Sequence, residues 1–252
     1  DGFVACLKDF NTWMSIHRLK LNHSKTQILP VGTWQQLSKI ATRHIIFEGS
    51  RIDFCLNPRN LGVIFDSNMT MGPHIKQLVI ECSKQLRLLK SVKFSLDINI
   101  LKSLVHAFVH SRLDYCNSLF YGLPTKSIRM LQSVQNRAAR LIVGDSKFDH
   151  VSPTLRNLHW LSIEKRIIFK VATIMYKCLN GFVPEYLIDR CVIRFYKQHT
   201  HHLRSQVNDF LYVYPTNLVT GSRNFSTVGP TVWNCLPASL RSPGFSITSF
   251  KR

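Results

Sequence analysis

Acidic side chains are scarce in this chain: 14 Asp and Glu stand against 33 Lys and Arg, a formal charge of +19 over 252 residues. Catalysis by clustered carboxylates is hard to build from so few. Asp9, Asp53, Asp66 and Asp114 are scattered, with no pair spaced to hold two magnesium ions. No run approaches eighteen consecutive apolar residues, so no helical membrane span is expected. A serine-nucleophile elbow, a phosphate-cradling glycine loop and a dinucleotide fingerprint are all missing. There is no internal repeat, no low-complexity tract and no basic-then-apolar leader. The opening Asp-Gly-Phe-Val reads as the middle of a helix, as expected of a chain cut from something longer. Seven cysteines (6, 55, 82, 116, 178, 191 and 235) are an odd number without tight spacing. They read as reduced core thiols of an intracellular protein, nuclear or cytoplasmic.

What is present is a chain with 45% apolar residues, enough for a core, and a large surplus of positive charge. Such a surplus points to a polyanionic partner, most often nucleic acid. It is unevenly placed. Residues 1–75 hold 8 basic and 5 acidic residues, residues 76–147 hold 12 and 4, and residues 148–252 hold 13 and 5.

Apolar periodicity divides the chain. Phe3, Leu7, Phe10, Trp13 (or Met14) and Ile16 predict an amphipathic helix over residues 2–18, and Lys25 to Val31 an extended run. Residues 33–43 read as a short helix or a loop. His44 to Glu48 and Arg51 to Cys55 flank Gly49-Ser50 as a hairpin, and Leu61 to Asp66 is a third short strand-like run. From Pro73 the period becomes helical, with one stripe through Ile75, Leu78, Val79, Cys82, Leu86, Leu89 and Val92. A second runs through Leu101, Leu104, Val105, Phe108 and Val109. Thr125 to Gly144 predicts a helix with Ile128, Leu131, Val134, Ala138, Leu141 and Ile142 on one face, Thr125 as N-cap and Gly144 as the stop. Helices are also expected over 151–158 and 163–179, joined by short connections as in a bundle. Residues 192–224 read as extended segments or loops, and the last thirty as turn-rich, with Gly229-Pro230, Leu236-Pro237 and Pro243-Gly244. The fold class is α+β, mostly α.

Two constellations have metal-ligand residue types. His106 and His110 lie four apart with Asp114 a turn on, but no Glu of the HExxH kind lies between them, so they read as ordinary helix histidines. Cys178 and Cys191, with His199, His201 and His202, have a gap too long for a zinc knuckle. No metal site is expected. Basic residues on helices remain. Lys84, Arg87, Lys90 and Lys93 step by three, Lys102 and Arg112 follow, and Arg129, Gln132, Asn136, Arg137 and Arg140 lie opposite the apolar face of 125–144. Arg166, Lys170 and Lys177 lie on 163–179. Donors so spaced suit a phosphate backbone without reading sequence, and equally suit a solvated face.

Several blocks taken in order carry a resemblance. They are Trp13-Met-Ser-Ile-His-Arg-Leu-Lys-Leu-Asn22 with Lys25-Thr26, Leu61-Gly-Val-Ile-Phe-Asp66, His74-Ile75, Ser111-Arg-Leu-Asp-Tyr-Cys-Asn117 and Leu131-Gln-Ser-Val-Gln-Asn-Arg-Ala-Ala-Arg140. Leu158-His-Trp-Leu161 with Arg166, Phe225-Ser-Thr-Val-Gly-Pro230 and Trp233-Asn-Cys-Leu-Pro237 complete them. The series resembles the C-terminal part of reverse transcriptases encoded by non-LTR (LINE-type, Jockey-like) retrotransposons. That likeness implies residues 1–72 as the end of a polymerase palm, 73–182 as a helical thumb and 183–252 as a turn-rich C-terminal segment. It implies Lys25 as a lysine that protonates departing pyrophosphate, a position that a plain strand-edge lysine fits as well. Leu61, Gly62 and Val63 become a primer grip. Lys84, Arg87, Lys90, Arg112, Arg129, Gln132, Arg137 and Arg140 become contacts to the backbone of RNA, DNA or a hybrid, without sequence preference.

The sequence departs from the family pattern in what it lacks. The family's metal-binding carboxylates lie on one palm strand and in a Tyr/Phe-Ala-Asp-Asp hairpin, and neither is found here; nor is the endonuclease domain. The complete enzyme uses Mg2+, whereas this chain is expected to carry no cofactor and to bind template and primer without polymerising. The palm helix would normally pack on sheet that is not present, leaving Phe10, Trp13, Ile28 and Leu29 exposed and the first part marginal in stability. The alternative reading is a non-enzymatic basic helical interaction module derived from a decayed element.

Overall fold

The computed structural model describes residues 2–146, 148–189, 210–241 and 246–251, in two compact units, 1–76 and 77–252. Among the described residues the protein is mostly helical with two small antiparallel sheets.

In the first unit the 3.6-residue spacing yields α1, Gly2–Ile16, followed by Arg18 in the left-handed region. No residue of α1 is buried. Phe3, Phe10, Trp13 and Ile16 are exposed, whereas Ile28 and Leu29 are half-buried. Thr33 opens α2, Trp34–Leu37, with a reciprocal capping box: the Gln36 N–H donates to Thr33 Oγ1, and the Thr33 N–H donates to Gln36 Oε1 at 2.8 Å. Strands β1, His44–Phe47, and β2, Ser50–Asp53, pair with Phe47 opposite Ser50. Glu48 and Gly49 between them both have positive φ (47° and 74°), the two-residue turn whose twist matches a hairpin. The extended run expected over 25–31 contributes a single bridge, Ile28 to Phe54, and Lys25 sits in a turn capped by the Asn22 side chain.

Strands β3, Arg59–Asn60, and β4, Val63–Ile64, repeat the same turn with Leu61 (φ 47°) and Gly62 (φ 86°). The continuous strand expected from Leu61 to Asp66 is therefore divided. Leu61 and Gly62 make the turn, and Asp66 is a cap. Its carboxylate accepts from the N–H and hydroxyl of Thr70, each at 2.9 Å, and from the Met71 N–H at 2.6 Å.

The unit boundary falls on α3, Gly72–Val92. The second unit continues through a 3-10 turn (Lys93–Ser95), α4 (Ile98–Val105), a π-helical turn (His106–His110), α5 (Ser111–Asp114) and a second 3-10 turn (Asn117–Phe120). Then come α6 (Thr125–Val143), α7 (Val151–Asn157) and α8 (Ile163–Leu179). Short helices that follow include α9 (Val219–Ser222), α10 (Phe225–Asn234), α11 (Ala238–Arg241) and α12 (Ile247–Phe250). The main core takes Cys82, Leu86 and Leu89 from α3, Leu131, Val134, Ala138 and Ile142 from α6, and Ile163 and Ile167 from α8.

The π turn alters one expected stripe. Closing on the bond from the Ser111 N–H to the His106 carbonyl, it inserts a residue into the helix. Burial then steps by four through Leu101, Val105, Val109 and Leu113, and Phe108 turns outward. Thr125 is the first helical residue, not the cap. Pro124 precedes it in an extended conformation, and no side chain caps α6. Gly144 does end that helix, at φ 90°.

The region expected to be turn-rich holds a second core. Val228, Val232 and Trp233 of α10 and Phe250 of α12 bury against Val171, Ala172, Met175 and Tyr176 of α8. The Phe250 ring stacks between Tyr176 (4.6 Å) and Trp233 (6.0 Å). Gly229-Pro230 lies inside a helix because Gly229 lets α10 approach α8 closely. A Cβ there would come within 2.9 Å of Met175 Sδ. Asn234 holds the preceding segment by donating to the Leu211 carbonyl (2.7 Å) and accepting its N–H (2.8 Å). The Phe225–Pro230 and Trp233–Pro237 blocks are thus the framework of this core.

Candidate nucleic-acid interface

The basic residues singled out from the sequence separate into two groups. One group belongs to an internal clasp. Arg112 donates to Glu81 of α3 at 3.0 Å. Asp114 accepts two guanidinium N–H bonds from Arg166 of α8, that from Nε at 2.8 Å, and a bond from Asn117 at 3.3 Å. Gln132 turns inward, with both amide hydrogens and its oxygen bonded. Its amide donates to Gln135 (2.9 Å) and Asn136 (2.8 Å), and its oxygen accepts the Ile163 N–H (2.9 Å) at the start of α8. Gln135, fully buried, donates to the Leu161 carbonyl at 2.8 Å. The Leu131–Arg140 block therefore grips Leu161 and the start of α8, and the Ser111–Asn117 block grips Arg166 of α8 and Glu81 of α3. Arg112 and Gln132, expected to face a ligand, hold helices together instead.

The other group shares a seam. Arg87, Lys90 and Lys93 from the α3 end meet Arg137 and Arg140 of α6 around a groove of about 590 Å³, floored by Leu86 and Leu141 and edged by Ser83, Phe94, Gly144 and Asp145. Residue numbers ascend together along both helices, so α3 and α6 run in the same sense here. Two of the arginines are held in place. Arg137 donates to Ser83 Oγ at 2.8 Å and Arg140 to the Asp149 carbonyl at 3.0 Å. Buried Arg140 Nε has no hydrogen-bond partner among the described residues. Five cations thus face one carboxylate, and Asp145 is itself bonded by the Thr154 hydroxyl at 2.5 Å. Further along the seam, Lys126, Arg129 and Arg137 line a second concavity with Val79, Met130 and Ser133. Lys84 is exposed on α3 and lines neither concavity.

Lys93, Lys126 and Phe94 are not among the eight residues that the family likeness assigned to backbone contact. The three-residue step from Lys84 to Lys93 was a usable signal for the first, and nothing periodic marks Phe94. In the first unit Lys25 is exposed on its turn, and Leu61, 84% exposed, forms the tip of the β3–β4 hairpin with Gly62, ahead of buried Val63.

The histidines of the π turn lie against Trp160, their rings 5.4 Å (His106) and 4.1 Å (His110) from the indole. Their Nδ1 atoms are 3.1 Å apart, so one donates and the other accepts. His110 Nε2 is buried without a hydrogen-bond partner among the described residues. A lone pair is cheaper to bury than an unbonded N–H, so His110 Nδ1–H is the favoured donor. Burial, followed by the nearby Arg166 guanidinium and His106, pushes the His110 pKa down to about 3 against the opposing pull of Asp114. His106 is lowered too, chiefly by burial.

These neutral rings are packing elements, and among the described residues no group of three or more His, Cys, Asp or Glu is placed to hold a metal. Cys178 is buried in the second core, and the other proposed zinc ligands lie outside the described residues. The carboxylates do not fit a magnesium site. Asp53 pairs with Arg51, Asp66 is the buried cap and Asp114 pairs with Arg166, while Asp9 is exposed on α1. Of the six described cysteines Cys82 and Cys178 are buried, Cys55 and Cys116 half-buried, and Cys6 and Cys235 exposed, so not all are core thiols. No described helix is long and apolar enough to cross a membrane.

Over 170 residues, 66% of its length, the chain is 28% identical to a probable RNA-directed DNA polymerase from transposon BS of Drosophila melanogaster. The chain is distantly similar to a transposon reverse transcriptase. The match spans 18% of that polymerase's length, so most of the relative has no counterpart here. No protein-family profile matches the chain, and no solved structure does.

Proposed function

We propose that this chain is the palm-end and thumb portion of a LINE-type retrotransposon reverse transcriptase, and that it holds template and primer by their phosphate backbones without polymerising by itself. The supporting observation is the convergence of Arg87, Lys90, Lys93, Arg137 and Arg140 on one groove with a single, already bonded carboxylate. Fixed cations along a groove neutralise phosphates regardless of base sequence and release their counterions. The distant similarity to a transposon polymerase gives that polyanion an identity, RNA, DNA or their hybrid. Magnesium chemistry belongs to the carboxylates of the complete enzyme, whereas Asp66 of this chain acts as a cap and Asp53 and Asp114 in ion pairs.

The test is a binding titration against salt. Wild-type protein should bind duplex, hybrid or single-stranded nucleic acid with a steep, sequence-indifferent salt slope. The combined variant Arg87→Gln, Lys90→Gln, Arg140→Gln should lower that slope by about 2–3, at about 0.7–0.9 for each phosphate no longer neutralised. An unchanged slope would overturn the assignment and favour a protein-binding module whose charge serves solubility.

A further inference from the structure

The groove between α3 and α6 has an apolar component that phosphates do not use. Leu86 and Leu141 form its floor, and at its mouth stands Phe94, 96% exposed. A single exposed apolar side chain is ordinary on a protein surface. A phenyl ring held out at the mouth of a cationic groove is not, and its placement is built in. Phe94 is the middle residue of the Lys93–Ser95 turn, which closes with the Leu96 N–H on the Lys93 carbonyl at 3.2 Å. Immediately after it, Asp97 caps α4 by accepting the Asn99 N–H at 2.7 Å. The backbone of the turn is thus anchored on both sides, and its middle residue presents the ring to solvent beside the cations.

A paired duplex offers phosphates, sugars and base edges but hides the faces of its bases, which are stacked on one another. An unpaired strand offers phosphates and the flat apolar faces of its bases. Cations on the walls with an aromatic ring at the mouth match the second description, the combination by which single-stranded nucleic acid is bound without sequence preference. We infer that the α3–α6 groove takes an unpaired stretch of RNA or DNA, with a base stacked on Phe94 and the adjoining phosphates on Arg87, Lys90, Lys93 and Arg140. This rests on the nucleic-acid reading above and deepens it. The groove holds a paired strand by its phosphates alone and an unpaired one more tightly, through the added stack.

The experiment compares Phe94→Ala and Phe94→Trp with wild type in fluorescence-anisotropy titrations across a salt series. Three probes are used: a labelled single-stranded RNA oligonucleotide, the same strand annealed to its complement, and a strand of equal length made of abasic units. Phe94→Ala should weaken binding of the single strand about ten- to hundredfold, the range of one lost base–aromatic stack, with an unchanged salt slope. Phe94→Trp should restore it, with indole fluorescence quenched on binding. The duplex and the abasic strand should not distinguish Phe94→Ala from wild type.

Equal affinity of Phe94→Ala and wild type for the single strand, or an equal loss on duplex and abasic strand, overturns the stacking assignment. If the salt slope still falls in the Arg87, Lys90, Arg140 variant, only this inference fails. If that slope also stays unchanged, the nucleic-acid reading fails with it. At 96% exposure Phe94 contributes no core packing, so a lost affinity cannot come from misfolding.

Discussion

Gln132 shows how a polar side chain on a basic helix face can be structural. Its oxygen receives the first N–H of α8 and its amide bonds Gln135 and Asn136, so it joins α6 to α8. Gln132→Ala should leave the Ile163 N–H and the Gln135 oxygen unbonded, lowering stability by about 1–3 kcal/mol in urea unfolding. The salt slope of nucleic-acid binding should not change. His110 makes a second such case, with a pH signature. Its imidazole titrates at about 3 in the folded protein and near 6.5 when unfolded, so between those values the unfolded chain binds a proton that the folded one does not. Stability is therefore complete above about pH 6.5 and falls with pH down to about 3, by up to about 1.4 kcal/mol per unit from this residue. His106, on the same turn, adds to the trend in the same direction, Arg166 of α8 reinforces it, and Asp114 of α5 opposes it. His110→Gln should flatten this dependence when urea midpoints at about pH 5 and about pH 8 are compared.

Among the elements, α10 carries the most unexpected role. Its sequence, with Gly229 and Pro230 in the middle, has the composition of a loop, and Pro230 removes one helical bond. The helix persists because tertiary burial outweighs that loss. Trp233, Val232 and Val228 pack on α8, and Gly229 removes the side chain that would hold α10 away. Trp233→Ala should cost about 3–5 kcal/mol, seen as a lowered denaturant midpoint. A cost below about 1 kcal/mol would show that the second core contributes little to stability. By contrast α1 is amphipathic in sequence and yet buries nothing, so Phe10 and Trp13 meet solvent. The two hairpins share one device, a non-glycine residue followed by glycine, both at positive φ. In the second hairpin the first position is Leu61, a bulky side chain in a backbone region it disfavours.

For the molecule as a whole, the +19 charge sets the expectation of polyanion binding, but charge alone does not locate it. Long-range attraction is screened beyond about 10 Å at moderate salt, so a local cluster controls the salt slope more than the net charge does. Removing three exposed lysines from the first unit (Lys8→Gln, Lys20→Gln, Lys39→Gln) changes the net charge as much as the Arg87, Lys90, Arg140 substitutions do. It should leave the slope within about 1 of wild type. Equal reductions from the two sets would mean that binding follows net charge and has no defined groove.

The helices from 72 to 179 and the first hairpin were legible in the sequence, because apolar spacing at 3.6 and 2 residues expresses which face must leave water. The ends of α8 and the stop at Gly144 were legible for the same reason, helped by a glycine that tolerates positive φ. The charge surplus and its concentration after residue 75 were equally plain. Which donors of a helix point to solvent and which to a neighbouring helix was not legible, because that depends on partners distant in sequence. Arg112 meets Glu81, Gln132 meets Ile163 and Arg166 meets Asp114 only once the helices are packed. The same holds for the π turn at His106–His110 and the close crossing at Gly229. Each breaks a local rule for a contact made far along the chain. The cationic groove is set by packing too: periodicity lays a row of charges on each helix, and the α3–α6 contact turns two rows into one concave surface beside Phe94.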